Sequence, residues 1–220
     1  TNPLPRVRQQ LELAYHTGID RLWIVNVGDI KPLEFPLSFF LDYAWDIHAW
    51  DENSLKEYAK DWAVQQFGKD LAEIGEIIDE YSYINGRRKP ELQSPATYSI
   101  INFKEAEQLL EQWRSLIERT NQIKERIPQQ LKDSFFQLVE YPVLASANLA
   151  FLHISTAKNW LYAKQGRAMA YIEADKVRQA LAKDFELRRI YHEDIANGKW
   201  IHMMDQNHIS YTYWQQPEKD

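Results

Sequence analysis

The chain has 220 residues with 26 basic and 32 acidic side chains, which gives a net charge of −6. This acidic balance argues against a nucleic-acid-binding domain, because such domains usually carry a basic surface that neutralises phosphates. The sequence has no Cys, so disulfides, thiolate nucleophiles and Cys-ligated zinc are excluded. Hydrophobic residues make up 45% of the chain, a globular composition. No continuous apolar run approaches the ~18 residues of a membrane span.

The first fifth of the chain has the pattern of an α/β fold. Pro5 suits the first turn of a helix that Thr17-Gly18 ends. Residues 21–27 (RLWIVNV) are nearly all apolar and rich in β-branched side chains, which predicts a strand covered on both faces. A proline-containing loop at 31–36 and a helix over 37–45 follow. A single parallel strand would leave its backbone groups unpaired, so we expect its neighbours in a longer protein of which this chain is a piece.

From residue 51 onward the patterns are helical. Long helices with short connections favour a bundle. The predicted fold is therefore mainly α: an antiparallel helical bundle over 51–220 with an aromatic C-terminal tail, preceded over 1–50 by a short αβα piece. The predicted helices run from about 54 to 67, on to about 83 with a break at Asn85-Gly86, from 102 to 126 with a capping box of Asn102 and Glu105, from 128 to 165 with a kink at Pro142, and from 167 to 195.

The tail contains a cluster of residues that could ligate a metal ion. Asp205 and His208 are three residues apart and His202 is close by, so three such side chains fall within seven positions. The sequence has no Glu-x-x-His motif, which di-iron bundles require, and no second ligand cluster. We therefore predict no metal and no cofactor, and expect these side chains to hydrogen-bond the tail to the bundle.

Polar side chains lie where the predicted strand ends. Asn26 is near its carboxyl end, and Asp29, Lys31 and Glu34 follow in the loop. In parallel α/β folds ligands bind at this edge. An Asn inside an apolar strand is costly unless a ligand or a neighbouring strand satisfies its amide. Asp29 and Glu34 could pair as acid and base, but Asp after Gly is equally a turn former, so the residues alone leave a functional and a structural role open.

Two long strings resemble segments of one enzyme family. Residues 20–46, DRLWIVNVGDIKPLEFPLSFFLDYAWD, resemble the end of the catalytic barrel of glycoside hydrolase family 115. Residues 199–217, KWIHMMDQNHISYTYWQQP, resemble the segment that closes the helical domain of that family. The strings are ordered as in the family and separated by a helical stretch of fitting length, so the resemblance covers essentially the whole chain.

The resemblance implies an origin in a xylan α-1,2-glucuronidase. These enzymes release glucuronic acid or its 4-O-methyl ether from glucuronoxylan with inversion. Residues 1–50 would then be the C-terminal piece of a (β/α)8 barrel and residues 51–220 the helical bundle domain. Inversion needs a general acid and a general base, which would come largely from strands upstream of residue 1. We therefore assign no catalytic residue here, expect the isolated chain to be inactive, and expect Asn26, then Asp29, to contact the substrate.

The same resemblance implies partners and a location. The upstream barrel and a downstream β-sandwich of the same parent would pack around this chain, and the polymeric substrate implies an extracellular or periplasmic site. No nucleic acid or membrane is expected as a partner. In the alternative interpretation, the bundle is an autonomous module for self-association as a homodimer or for interdomain docking.

Overall fold

The computed structural model describes residues 2–27, 30–206 and 209, which are mainly helical. They form two compact units. The first consists of residues 1–87 and 122–139, and the second of residues 88–121 and 140–220. The domain boundary at residue 50 that the sequence suggested stays a prediction.

The first unit contains four long helices. They are α1 (Leu4–His16), α2 (Glu34–Trp45), α3 (Leu55–Phe67) and α4 (Ile74–Arg87). Its core is aromatic, because α2 and α3 place large rings on the faces that meet. The ring of Phe35 lies 5.2 Å from that of Trp62, and the ring of Phe39 lies 5.0 Å from that of Tyr58. All four side chains are buried, and such edge-to-face pairs add stability beyond the area they bury.

The second unit is organised by three long helices, α5 (Glu105–Lys124), α7 (Tyr141–Lys164) and α8 (Met169–Arg189). The last residues of α5 fall in the first unit. Two side-chain amides of α7 hold α8: Nδ2 of Asn148 donates to the carbonyl of Ala180, and Nδ2 of Asn159 donates to that of Ala170, both at 2.8 Å. The predicted apolar stripe of α5 is buried at Ala106, Leu109, Leu110, Trp113, Leu116 and Ile123, and half-buried at Ile117.

A short helix, α6 (Lys132–Phe135), leads through a π-helical turn at Phe136–Glu140 into α7. A kink was predicted at Pro142, which lies in the first turn of α7. The helical irregularity is instead the wider π-helical turn directly before this proline. Helix 129–164 as a whole is long and apolar enough to cross a membrane by length and composition, although its sequence is not a continuous apolar run. Of its apolar window 72% is buried inside the protein, as in the core helix of a globular protein.

This chain does not form the strand predicted at 21–27. This segment has no regular secondary structure, and the described part of the chain contains no strand. Its apolar side chains are largely exposed, with Leu22 at 73% and Ile24 at 86%. A strand exists only where a second strand pairs with its backbone, and the described residues offer none.

Two predicted helix boundaries are also wrong. α4 continues through Asn85-Gly86 to Arg87. A Cβ on Gly86 would lie 2.7 Å from Cγ of Pro3, so glycine here allows the close approach of the N-terminal segment. The capping box of Asn102 does not form either, because the carboxylate of Glu105 accepts the backbone N–H of Ser99 at 2.7 Å.

Candidate functional site

The candidate site is the segment between α1 and α2, in the first unit. Asn26 lies in this segment and is exposed to solvent. Asp29, the second predicted substrate contact, lies outside the described residues. Since the segment forms no strand, the structure does not place Asn26 at the end of a sheet. Its role as a substrate contact stays a prediction.

The start of α2 is fixed by a small polar network. Nζ of Lys31 lies 2.7 Å from Oε1 of Glu34, the first residue of α2. The same oxygen accepts a hydrogen bond from Nε2 of Gln137 at 2.5 Å. Both charged side chains are mostly buried, with Lys31 at 18% and Glu34 at 22% exposure. Partly buried charge-assisted bonds of this kind are stronger than exposed ones, so the network anchors the loop that follows Asn26.

Glu34 therefore holds the loop in place. Its second oxygen, Oε2, is buried and has no hydrogen-bond partner in the described part of the chain. The carboxylate that the sequence offered as an acid or base is thus paired with Lys31 and turned away from solvent. Lys31 therefore has a structural role in this loop. Gln137, which is 103 residues from Glu34 in sequence, carried no signal that could have placed it here.

The tail cluster forms hydrogen bonds. Nδ1 of His202 lies 2.5 Å from Oδ2 of Asp205, and this contact lowers the pKa of Asp205 below its usual range. Nε2 of His192 accepts the backbone N–H of Met204 at 3.0 Å. His208 lies outside the described residues, and within the part of the chain that the structure describes no group of three possible ligands could hold a metal ion. His192, in the π-helical turn Ile190–Asp194 that follows α8, is thus hydrogen-bonded to the segment at Met204, a link that the sequence did not indicate.

His153, in α7, is a buried histidine with an unpaired nitrogen. Its Nδ1 has no hydrogen-bond partner among the described residues. Burial lowers the pKa of the imidazole below its ordinary value because the charged form loses its hydration. The side chain is therefore neutral at pH 7, and the described residues place no partner at its Nδ1 that would assign it a chemical role.

Comparison with known proteins relates this arrangement to one enzyme family. The model of Glycosyl hydrolase family 115 matches residues 1–92, which include the candidate site. No curated protein matches the chain significantly. The fold is similar to that of a solved structure described as a novel family 115 4-O-methyl-α-glucuronidase with specificity for decorated arabinogalactans.

That similarity has a TM-score of 0.75 at 24% sequence identity and covers 93% of this chain. The chain spans 28% of the length of the solved protein. The resemblance to glycoside hydrolase family 115 is confirmed by sequence over residues 1–92, and the fold of nearly the whole chain is similar to that of the solved structure.

Proposed function

We propose that this chain is part of a longer α-glucuronidase of family 115, to which it contributes one edge of the active site and a helical support. The observation that carries the proposal is the family match over residues 1–92, which contains the loop between Asn26 and Glu34. The fold similarity to an α-glucuronidase over 93% of the chain supports it independently.

The exposed apolar segment at 19–27 fits this proposal. Ile19, Leu22 and Ile24 are 54%, 73% and 86% exposed. Soluble proteins rarely leave a contiguous apolar patch uncovered. In the longer enzyme this segment would become a strand of the (β/α)8 barrel, since barrel strands upstream would pair with its backbone. A downstream β-sandwich is the other expected neighbour.

The proposed reaction is the inverting release of glucuronic acid, or its 4-O-methyl ether, from a polysaccharide branch. We place the general acid and base in other parts of the enzyme, because the carboxylate of Glu34, at the end of the loop that follows Asn26, is paired with Lys31. Asn26 is the proposed substrate contact and Asp29 the second. An Asn amide can donate a hydrogen bond to a uronate carboxylate and accept one from a sugar hydroxyl.

Two polysaccharides are candidates for the substrate. Glucuronoxylan is the substrate that the family resemblance implies. The solved relative is described as specific for decorated arabinogalactans, which favours a second candidate with the same uronate branch chemistry. Either polymer places the enzyme outside the cell or in the periplasm.

A separate function of the helical part as a module for self-association or interdomain docking is the alternative. It is tested by the mass of the chain in solution, since a monomer at every concentration would contradict self-association.

The proposed function is tested by assaying the longer enzyme and the 220-residue chain on both polysaccharides. We expect the longer enzyme to release uronic acid, with NMR of the initial product showing inversion at the anomeric carbon. The 220-residue chain should fold into helices, as seen by circular dichroism, and release none. Uronic acid release by this chain alone, or none by the longer enzyme on either polymer, would contradict the proposal.

A further inference from the structure

Beside the turn that joins α7 to α8, the second unit carries an open groove of about 620 Å³. This volume lies within the ~300–1,000 Å³ range of small-molecule sites. The groove exists because residues with little or no side chain line it. Within it Nδ2 of Asn159 donates to the carbonyl of Ala170, which holds the two helices together at this point. The small lining residues are Ala163, Gly166, Ala168, Ala170 and Ala174.

Larger side chains form the rest of the groove. Tyr171 is 80% exposed, so its ring is open to solvent. The guanidinium of Arg167 lies 4.2 Å from the ring centroid of Tyr162, which orients it. Arg178 also lines the groove, and its Nη1 lies 2.5 Å from a carboxylate oxygen of Asp175.

Arg167 has an uncompensated charge. In the described part of the chain no carboxylate lies within 4.0 Å of its guanidinium, and its hydrogen bond goes to the neutral amide oxygen of Gln165 at 3.4 Å. A guanidinium has five donors in a rigid fork, so most of its donors are available to a ligand.

The segment around the groove is basic although the chain is acidic. Residues 158–178 contain five Lys or Arg and two Asp or Glu, a net charge of +3, against −6 for the whole chain. Clustered charge of one sign raises the local concentration of the opposite ion. Three of these basic side chains are paired, Lys158 with Glu107, Lys176 with Glu173 and Arg178 with Asp175. The charges of Lys164 and Arg167 have no carboxylate partner among the described residues, so they suit the groove to an anion. The basic residues are Lys158, Lys164, Arg167, Lys176 and Arg178, and the acidic ones are Glu173 and Asp175.

We propose that this groove binds the uronate of an acidic oligosaccharide. The carboxylate would pair with the Arg167 guanidinium, since forks of this shape bind carboxylates through two parallel bonds. A face of the sugar would lie on the exposed ring of Tyr171, whose negative π face attracts the C–H groups of the sugar. The choice of a uronate among anions rests on the proposed function, while the affinity for an anion rests on the groove itself.

The test is a calorimetric titration of the 220-residue chain. The probes are a xylo-oligosaccharide with one 4-O-methylglucuronic acid branch, the unbranched neutral oligosaccharide, and inorganic phosphate. We expect the acidic oligosaccharide to bind at least ~10-fold more tightly than either of the others. Arg167→Gln should lower the affinity for the acidic oligosaccharide ~10-fold. Arg167→Lys should lower it less, because a lysine keeps the positive charge but lacks the forked donors of the guanidinium.

Arg114→Gln is the matched control. The Arg114 guanidinium also lies over a ring, at 5.8 Å from the centroid of Phe151, and its side chain is exposed, but it does not line the groove. The affinity of the Arg114→Gln chain for the acidic oligosaccharide should stay within ~2-fold of that of the wild type. Tyr171→Ala should lower the affinity for the acidic oligosaccharide by several-fold.

Three results would overturn the proposal: no binding up to ~10 mM, equal affinity for the neutral oligosaccharide or phosphate, or unchanged affinity in Arg167→Gln. The titration measures binding by this chain alone. It therefore distinguishes a failure of this inference from a longer enzyme that releases no uronic acid.

Discussion

Gly75, at the start of α4, lies against the backbone of α3 more closely than any side chain allows. A Cβ at this position would lie 2.4 Å from the carbonyl oxygen of Ala59, 2.5 Å from its carbon and 2.7 Å from the nitrogen of Lys60. All three neighbours are backbone atoms, so no rotamer change can relieve the contact. In Gly75→Ala, α3 and α4 would have to separate by about 1 Å to restore ordinary contact.

The sign of the change in the free energy of unfolding shows whether packing or helix propensity dominates at Gly75. Propensity alone favours Ala over Gly in a helix by about 1 kcal/mol. Overpacking a tight interface costs about 1–3 kcal/mol, occasionally more, and here the separation also loosens the buried side chains of Ile74 and Ile77. Contact with backbone atoms, which cannot change rotamer, places the cost at the upper end of this range. After the propensity gain is subtracted, we expect Gly75→Ala to lower the free energy of unfolding by about 1–2 kcal/mol.

The assay is urea and thermal unfolding followed by circular dichroism, where each kcal/mol lowers Tm by about 2–4 °C in a chain of this size. Gly86→Ala is the matched control, since it changes the same residue type in the same helix. Its Cβ would meet only ring atoms of Pro3, in a terminal segment that can shift, so its cost should be smaller by at least about 1 kcal/mol. A Gly75→Ala protein as stable as the wild type, or more stable, would refute the packing argument.

Three further changes test the core. Tyr58→Phe removes a hydrogen bond of 2.7 Å to the carboxylate of Asp42 and should cost about 1.5–3 kcal/mol in urea unfolding; a cost below the error of the titration would contradict the bond. Asn148→Ala should cost about 1 kcal/mol, because it leaves the carbonyl of Ala180 without its side-chain donor, and unchanged hydrogen exchange along α8 would argue against that contact. Burial depresses the pKa of His153 in the folded chain. Below pH 6.5, the ordinary value of a histidine pKa, the unfolded chain therefore binds more protons than the folded chain. The contribution of His153 to stability should be complete above that pH and decline below it, and His153→Gln should flatten the dependence of stability on pH below 6.5 relative to wild type.

Helix ends set by local signals could be predicted from the sequence. α1 ends where Thr17-Gly18 predicted, and Gly18 takes a positive φ of 92°. α3 covers 55–67 between Ser54 and Gly68, as predicted. At these positions the backbone preference of glycine decides the boundary, and among the described residues nothing beyond the adjacent residues lies within 4 Å of where a Cβ on Gly18 or Gly68 would be.

Features that depend on distant contacts could not be predicted. The break expected at Asn85-Gly86 does not occur, and Gly86 instead leaves room for Pro3, which is more than 80 residues away in sequence. The strand expected at 21–27 does not form in this chain, since β-branched side chains favour a strand but cannot supply its partner. Antiparallel packing of the whole set of helices stays a prediction.

The candidate site shows the same division. The sequence located the loop through Asn26 and the polar residues after it. It could not predict that Glu34 would bond Gln137, since that contact is created by folding. The assignment of Asn26 to substrate stays a prediction, because the sheet edge that would orient its amide is not formed by the described residues.

The most direct measurement is uronic acid release by the longer enzyme, beside its Asn26→Ala form and an Asn53→Ala control at an exposed turn. With matched circular dichroism, we expect release by the wild type and the control. Asn26→Ala should lose at least roughly tenfold in kcat/KM, or ~1.4 kcal/mol of transition-state stabilisation. Equal activity in all three forms would contradict a substrate contact at Asn26, and no release by the wild type would contradict the assignment as an α-glucuronidase.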